Sequence, residues 1–337
     1  MAPKLPTRQL GKDGPQVTAL GYGMMGLSAY YAPAAPDEER LHFLDYVYNS
    51  GIVNWDTSDV YGDSEILLGK WLATTGKRDE IFLATKGGAG VDDQGNALVR
   101  SDPEYIKGAC DRSLKRLGLD SVDLYYIHRL DKVTPIEKTV AAMVELKNDG
   151  KIKYLGLSEC SANTLRRACK IHHIAAVQIE YNPFSLDIEH NGLLAACREL
   201  GVAVICYAPL GRGFLTGQLK SPGDFPEGDI RRFLPRFSPE NFTKNLKIVD
   251  ALDVIAESKG VSISALALAW LLAQGDDIIP IPGTTKPTNL DTNIRALSVT
   301  LTPEENKRIR DVVEAAGVSG GRYHAAWDDS FADTPEL

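Results

Sequence analysis

Asn54-Trp55-Asp56-Thr57-Ser58-Asp59-Val60-Tyr61-Gly62-Asp63-Ser64-Glu65 is the stretch whose reading decides the fold. Ahead of it, Gly51-Ile52-Val53 is an apolar strand pattern; behind it, Ile66, Leu67 and Trp71 recur at helical spacing. The stretch therefore reads as a polar loop at the carboxyl end of a buried strand, leading into a helix. It carries an acid, Asp56, and a phenol, Tyr61.

Outward from this unit the pattern repeats. Short apolar runs at 18–22, 51–55, 80–85, 122–127, 152–157, 176–179, 202–206 and 278–281 alternate with helix patterns. The helix patterns begin near 37 and recur at 102–117, 135–149, 161–172, 189–200, 246–273 and 287–297. Eight strand-and-helix units in 337 residues predict an α/β fold, a (β/α)8 TIM barrel forming one domain over 1–337. A doubly wound sheet would stop sooner. Two short runs flanking Lys12-Asp13-Gly14-Pro15 predict an N-terminal β-hairpin able to plug one end of the barrel. Residues 211–242, rich in Gly, Pro, Arg and Phe, form a long connection of the kind used as a lid or binding loop. The C-terminal tail after Gly317 carries Tyr323, Trp327 and Phe331 and is placed over the barrel mouth, with the outer wall as the alternative.

Gly21-Tyr22-Gly23-Met24-Met25-Gly26 is a literal match to the dinucleotide fingerprint G-x-G-x-x-G. Its context argues against a two-domain Rossmann dehydrogenase. No helix opens at Gly26, because Pro33 and Pro36 intervene, and the acid expected about 20 residues onward would fall near Asp45, inside a helix.

Composition narrows the partners. With 44% hydrophobic and 24% charged residues the chain is globular, and a net charge of −8 argues against a nucleic-acid or anionic-membrane footprint while allowing one local phosphate site. The N-terminus has no signal-like apolar run and the longest apolar block, 265–273, is too short to span a bilayer, so a cytoplasmic location is expected. Five cysteines without C-x-x-C spacing suggest reduced thiols rather than disulfides or zinc ligands, and His172-His173 lack an accompanying acid, so no metal is expected. Oligomeric state is not encoded in any motif; a monomer is the default.

In such barrels the chemistry lies at the carboxyl ends of the strands. Those ends carry Asp56 with Tyr61 beyond it, Lys86, His128, Ser158, Gln178, Tyr207, and the run Pro282-Gly283-Thr284-Thr285-Lys286. Singly, each has an ordinary structural reading: a turn acid, a core phenol, a solvated amine, a packed imidazole. Together at one rim they suggest chemistry. A tyrosine of reference pKa ~10 is a poor acid at neutral pH; an ammonium beside it favours the phenolate, and an acid can anchor that ammonium. Tyr61 then donates a proton and His128 orients a carbonyl oxygen, with no metal required.

Asp56, Tyr61, Lys86 and His128, in this order and at these strand ends, resemble the catalytic tetrad of the aldo-keto reductases, a resemblance that covers nearly the whole chain. It implies NADPH as cofactor, a small-molecule carbonyl as substrate, Ser158 and Gln178 on the nicotinamide carboxamide, and Tyr207 stacked on the ring. It further implies Ala208-Pro209-Leu210-Gly211-Arg212-Gly213 along the pyrophosphate, with Gly23 also at the cofactor. The segment from Ile281 to Asn293 looks like the one that binds the adenosine 2′-phosphate, through Gly283, Thr284, Thr285, Lys286, Asn289 and Asn293, at a helix N-terminus suited to an anion. Lys286 is the candidate cation. Three positions depart from better-known members: Glu159 for Asn, Gly283 for Lys and Asn289 for Arg, all bearing on cofactor contacts. Gly-Thr-Thr-Lys and the insertion at 231–237 resemble the longer plant and microbial branch. A cofactor-sensing subunit similar to the potassium-channel β-subunits is the alternative. The substrate walls are expected from Met25, Tyr30, Trp55, Arg129, the 211–242 loop and the tail.

Overall fold

The computed structural model describes residues 3–31, 33–91, 94, 97–324 and 330–337. Eight parallel strands lie side by side in chain order: β1 (Tyr22–Gly23), β2 (Asn54–Asp56), β3 (Phe82–Gly87), β4 (Val122–Ile127), β5 (Ile152–Ser158), β6 (Ala176–Glu180), β7 (Ala203–Tyr207) and β8 (Ile278–Pro280). Backbone bonds from Gly21 N to Pro280 O (2.9 Å) and from Gly23 N to Pro282 O (3.3 Å) join the first strand to the segment of the last, closing the TIM barrel.

That closure explains the glycine fingerprint. A Cβ at Gly23 would stand 2.7 Å from the Ile281 carbonyl oxygen, one at Gly283 would stand 2.7 Å from the Gly23 carbonyl oxygen, and one at Gly21 would meet Ile281 at 2.8 Å. The glycines let two backbones approach at the seam. The long helix after them starts only at Asp37, behind Pro36.

The expected hairpin pairs Thr7–Gln9 with Gln16–Thr18, and Leu10 just after its first strand and Val17 within its second join Ala84, Leu124, Ala176, Ile205 and Ile279 in the barrel's inner core. It plugs the end where Lys12 N bonds the Gly201 carbonyl, opposite to the strands' carboxyl ends. Trp55, expected near the pocket, instead faces outward. It is fully buried against Trp71 of the helix Ser64–Thr75, ring centroids 4.7 Å apart, with its indole N–H donating to Ile52 O at 2.7 Å.

Several boundaries differ from the sequence reading. The pattern at 246–273 is two helices, Pro239–Lys259 and Ile263–Leu272, bent by 88°. Gly260, at φ +70°, ends the first, and the Ser262 side chain caps the second at Ala265 N. The pattern at 189–200 divides at Gly192 into Asp187–His190 and Leu193–Leu200. A small hairpin, Ala89–Val91 with Ala97–Val99, follows β3, and a helix, Pro303–Ala316, follows the eighth unit. The 211–242 connection is a series of short 3-10 turns as far as Phe237 and ends in the first turn of the helix Pro239–Lys259; Phe214, Phe225, Phe237 and Phe242 hold it together, the closest ring pair at 4.7 Å. Among the described residues no single helix is long and apolar enough to cross a membrane.

Candidate active site

Strand register sets the site. Gly23 pairs with Asp56, Lys86 with Tyr126, Ser158 with Gln178, and Glu180 with Tyr207, so these groups share the barrel's carboxyl rim. Lys86 Nζ, fully buried, is 2.5 Å from Asp56 Oδ1 and donates to Thr57 O at 2.7 Å; Gln178 Nε2 donates to the other Asp56 oxygen at 2.7 Å. Burial pushes the Asp56 carboxyl up and the Lys86 ammonium down, each opposed by the partner's charge.

Tyr61 stands over this pair, with Lys86 Nζ 4.9 Å from its ring centroid, and meets His128 edge-on at 5.8 Å. Lowering of the phenol by Lys86 is not the dominant influence here: burial, reinforced by Asp56 and opposed by Arg129, pushes Tyr61 well above its usual range, and the Lys86 ammonium is engaged by Asp56 and Thr57. Burial, with the charges of Arg129 and Lys86, pushes the His128 ring well below its usual range, leaving it neutral. Its Nδ1 lies 3.0 Å from Ser58 Oγ, which is 3.2 Å from Asp59 Oδ1. The sequence reading missed this connection.

Three of the four groups, Asp56, Tyr61 and His128, border one cavity of about 1120 Å³, and Lys86 is buried behind Asp56. The same cavity is lined by Gly23, Ser158, Gln178, Tyr207, Pro209, Leu210 and Gly213, and farther on by Gly283, Thr284, Thr285, Lys286, Asn289 and Asn293. Gly211 is buried behind the wall and does not border it. Lys286 is exposed at the N-terminus of the helix Pro287–Arg295, where Thr284 Oγ1 accepts from Lys286 N at 3.1 Å. Met25, Tyr30 and Arg129 border the cavity as expected. Arg129 Nη1 donates to His128 O (2.9 Å) and Ser158 Oγ (3.3 Å). Among the described residues, no group of three or more His, Cys, Asp or Glu side chains could hold a metal ion.

The tail does two things. Tyr323 lines the cavity and Arg322 reaches down to Glu159, making a two-pronged ion pair at 2.9 and 3.0 Å. Burial would raise the Glu159 carboxyl, but Arg322 and Arg129 hold it below its usual range, and the Tyr207 hydroxyl donates to it at 2.6 Å. Farther on, the tail runs along the outer wall, where Ala332 bridges Cys160 and Arg167 donates to Thr334 O at 2.7 Å. Trp327 lies outside the described residues. The 211–242 connection supplies Arg231 to the cavity wall, its guanidinium stacked between Tyr31 and Phe225 at 4.9 and 4.6 Å.

The arrangement can bind an elongated ligand from the rim groups to the helix N-terminus at 287, and it can give a proton from a protonated phenol beside a neutral imidazole. Comparison with known proteins points the same way. The model of the aldo/keto reductase family matches residues 19–314. The chain is 49% identical to the aldo-keto reductase yakc of Schizosaccharomyces pombe, whose name specifies NADP(+), over 99% of both chains. It is also 49% identical to the aldo-keto reductase str7 of Strobilurus tenacellus, again over 99% of each. Among solved structures, the glycerol dehydrogenase AKR11B4 of Gluconobacter oxydans aligns with a TM-score of 0.82 at 30% identity, covering 92% of this chain and 95% of that one.

Proposed function

Because the chain belongs to the aldo/keto reductase family, we propose that it reduces a small aldehyde or ketone to the alcohol, with hydride from NADPH and a proton from Tyr61. One observation carries this reading. A protonated phenol, a neutral imidazole and a buried lysine–aspartate pair meet at one end of a cavity whose other end is a helix N-terminus with an exposed lysine.

The residues fit the cofactor. The cavity, about 1120 Å³, is lined from the rim groups to Lys286, Tyr207 and Ser158 both border it, and the glycine-rich segment from Pro209 to Gly213 lets the backbone approach a pyrophosphate. The N–H groups at the start of the helix Pro287–Arg295 and the Lys286 ammonium suit the 2′-phosphate. When bound, the nicotinamide supplies the hydride to the carbonyl carbon. The chain does the rest. His128 Nε2 points a donor at the carbonyl oxygen, and Tyr61 transfers its hydroxyl proton to that oxygen as negative charge develops. A phenol raised by burial stays protonated through the ordinary pH range, so the donor is loaded in the resting enzyme. Asp56 and Lys86 hold the floor on which Tyr61 rests.

One amide N–H of Gln178 is engaged with Asp56, which leaves its carbonyl oxygen and its second N–H for other partners such as a carboxamide. Ser158 Oγ, shared with Arg129, is the second group offered there.

The test is NADPH oxidation with a panel of aldehydes, ketones and pyridoxal. Turnover supports the reductase; tight NADPH binding without turnover of any member supports the cofactor-sensing alternative. Cofactor choice gives a second expectation. Lys286→Ala should weaken NADPH about tenfold, the low end for a charge-assisted contact because the side chain is exposed, and leave NADH nearly unchanged. Equal loss for both cofactors in fluorescence titrations would remove Lys286 from the phosphate site.

A further inference from the structure

Ser58 is buried at the start of the loop after β2, with a single hydroxyl hydrogen and two neighbours able to accept it: Asp59 Oδ1 at 3.2 Å and His128 Nδ1 at 3.0 Å. One hydrogen cannot serve both. From this geometry we propose that Asp59 is a positioning residue that sets, through Ser58, which nitrogen of His128 carries the proton facing the carbonyl substrate. The proposal rests on the reading of His128 as the group that orients the carbonyl oxygen.

Two states follow from donor and acceptor counting. With Asp59 ionised, the Ser58 hydroxyl donates to the carboxylate, so Ser58 Oγ accepts from His128 Nδ1–H, and Nε2 presents a bare lone pair to the cavity. A carbonyl oxygen there finds no donor. With Asp59 protonated, its O–H donates to Ser58 Oγ, Ser58 donates to His128 Nδ1, and Nε2–H faces the cavity. The interconversion balances with one proton taken up. Nε2 gains a proton from the cavity, the Nδ1 proton passes to Ser58, and the Ser58 proton passes to Asp59. The ring is neutral in both states, as its surroundings require.

The surroundings of Asp59 allow the switch to operate near neutrality. Glu65 from the following helix opposes its charge, Arg112 and Arg116 from the helix Pro103–Leu117 favour it, and Lys86 on β3, Tyr125 on β4 and Tyr30 above complete the ring of titratable groups around it. Burial dominates and pushes the Asp59 carboxyl up to about 7. The sign is fixed by the counting: the donor-competent form exists below this pKa, so carbonyl reduction falls as pH rises through it. Removing one donor to a developing oxyanion costs about 10²- to 10³-fold. Between about pH 6 and 8 a single ionisation of this kind should lower kcat about tenfold.

The test reads the tautomer directly, without substrate. Long-range proton–nitrogen spectra of the histidine-15N-labelled full chain, assigned with His128→Gln, should show the His128 proton on Nε2 at low pH and on Nδ1 at high pH. Asp59→Asn, which has no ionisable proton and faces Ser58 with either its amide N–H₂ or its carbonyl oxygen, should fix one His128 tautomer at every pH and flatten the pH profile of kcat. Ser58→Ala, which cuts the connection, should also abolish the pH dependence of the tautomer and serves if Asp59→Asn does not fold. A wild-type tautomer that does not change with pH, or a change that persists in either variant, overturns the proposal. A tautomer switch in a protein that reduces no carbonyl would instead overturn the reductase reading and leave the relay standing.

Discussion

Tyr61→Phe is expected to lower NADPH-dependent carbonyl reduction by about 10²- to 10⁴-fold while cofactor affinity changes little. The ring remains, so its edge contacts with His128 and Tyr30 and its place above Lys86 are kept. Only the hydroxyl, and with it the proton, is removed. Because burial holds that proton on the phenol, the reverse oxidation, which needs the phenolate as base, should be the slower direction at neutral pH in the parent enzyme as well. Single-turnover hydride transfer followed by NADPH fluorescence separates the chemical step from binding. A Tyr61→Phe enzyme that reduces the test aldehydes near the parent rate would return Tyr61 to the role of a packed aromatic.

Lys86→Met has two expected effects that can be read apart. It leaves the Asp56 carboxylate buried with Gln178 as its remaining polar partner, and breaking a buried pair from one side costs about 3 to 5 kcal/mol. The uncompensated Asp56 charge also raises the phenol further, so reduction should fall by at least about 10²-fold. Adding Asp56→Asn removes the orphaned charge. The double variant should recover most of the lost stability in urea melts without recovering activity. Recovery of both together would mean that the pair serves the fold alone.

How much of this was legible in the sequence depends on how far apart the contributing residues lie. Strand periodicity located all eight barrel strands, because each is a short apolar run with its own helix, and the rim groups followed once the strands were aligned at their carboxyl ends. The outward direction of Trp55 was available too: successive strand residues face opposite sides, so an inward Asp56 requires an outward Trp55. The break at 260 was spelled by Gly260 followed by Ser262, and the helix Pro303–Ala316 by Thr302 with Glu305, a reciprocal cap.

Other features could not be read. Ser58 and His128 are 70 residues apart, and a serine in a polar loop gives no sign of which imidazole it meets. The seam role of Gly21, Gly23 and Gly283 needs the first and last strands in register, which no local pattern states. Glu159, a departure from Asn when read alone, makes sense only beside Arg322.

That last pair has a consequence for how the protein is made. Arg322 lies 163 residues after Glu159, so during synthesis the strand end carrying Glu159 leaves the ribosome long before its counter-ion does. Until then, Arg129 is its cationic neighbour, and the carboxylate lacks the two direct hydrogen bonds that the Arg322 guanidinium gives it. The rim around Tyr207, whose hydroxyl donates to the same carboxylate, is thus expected to be completed only once the tail is in place. A chain truncated before Arg322 should keep the barrel's helices protected from limited proteolysis while Tyr207 stays open to solvent. Rim protection without Arg322 would show that the barrel completes this wall without the tail.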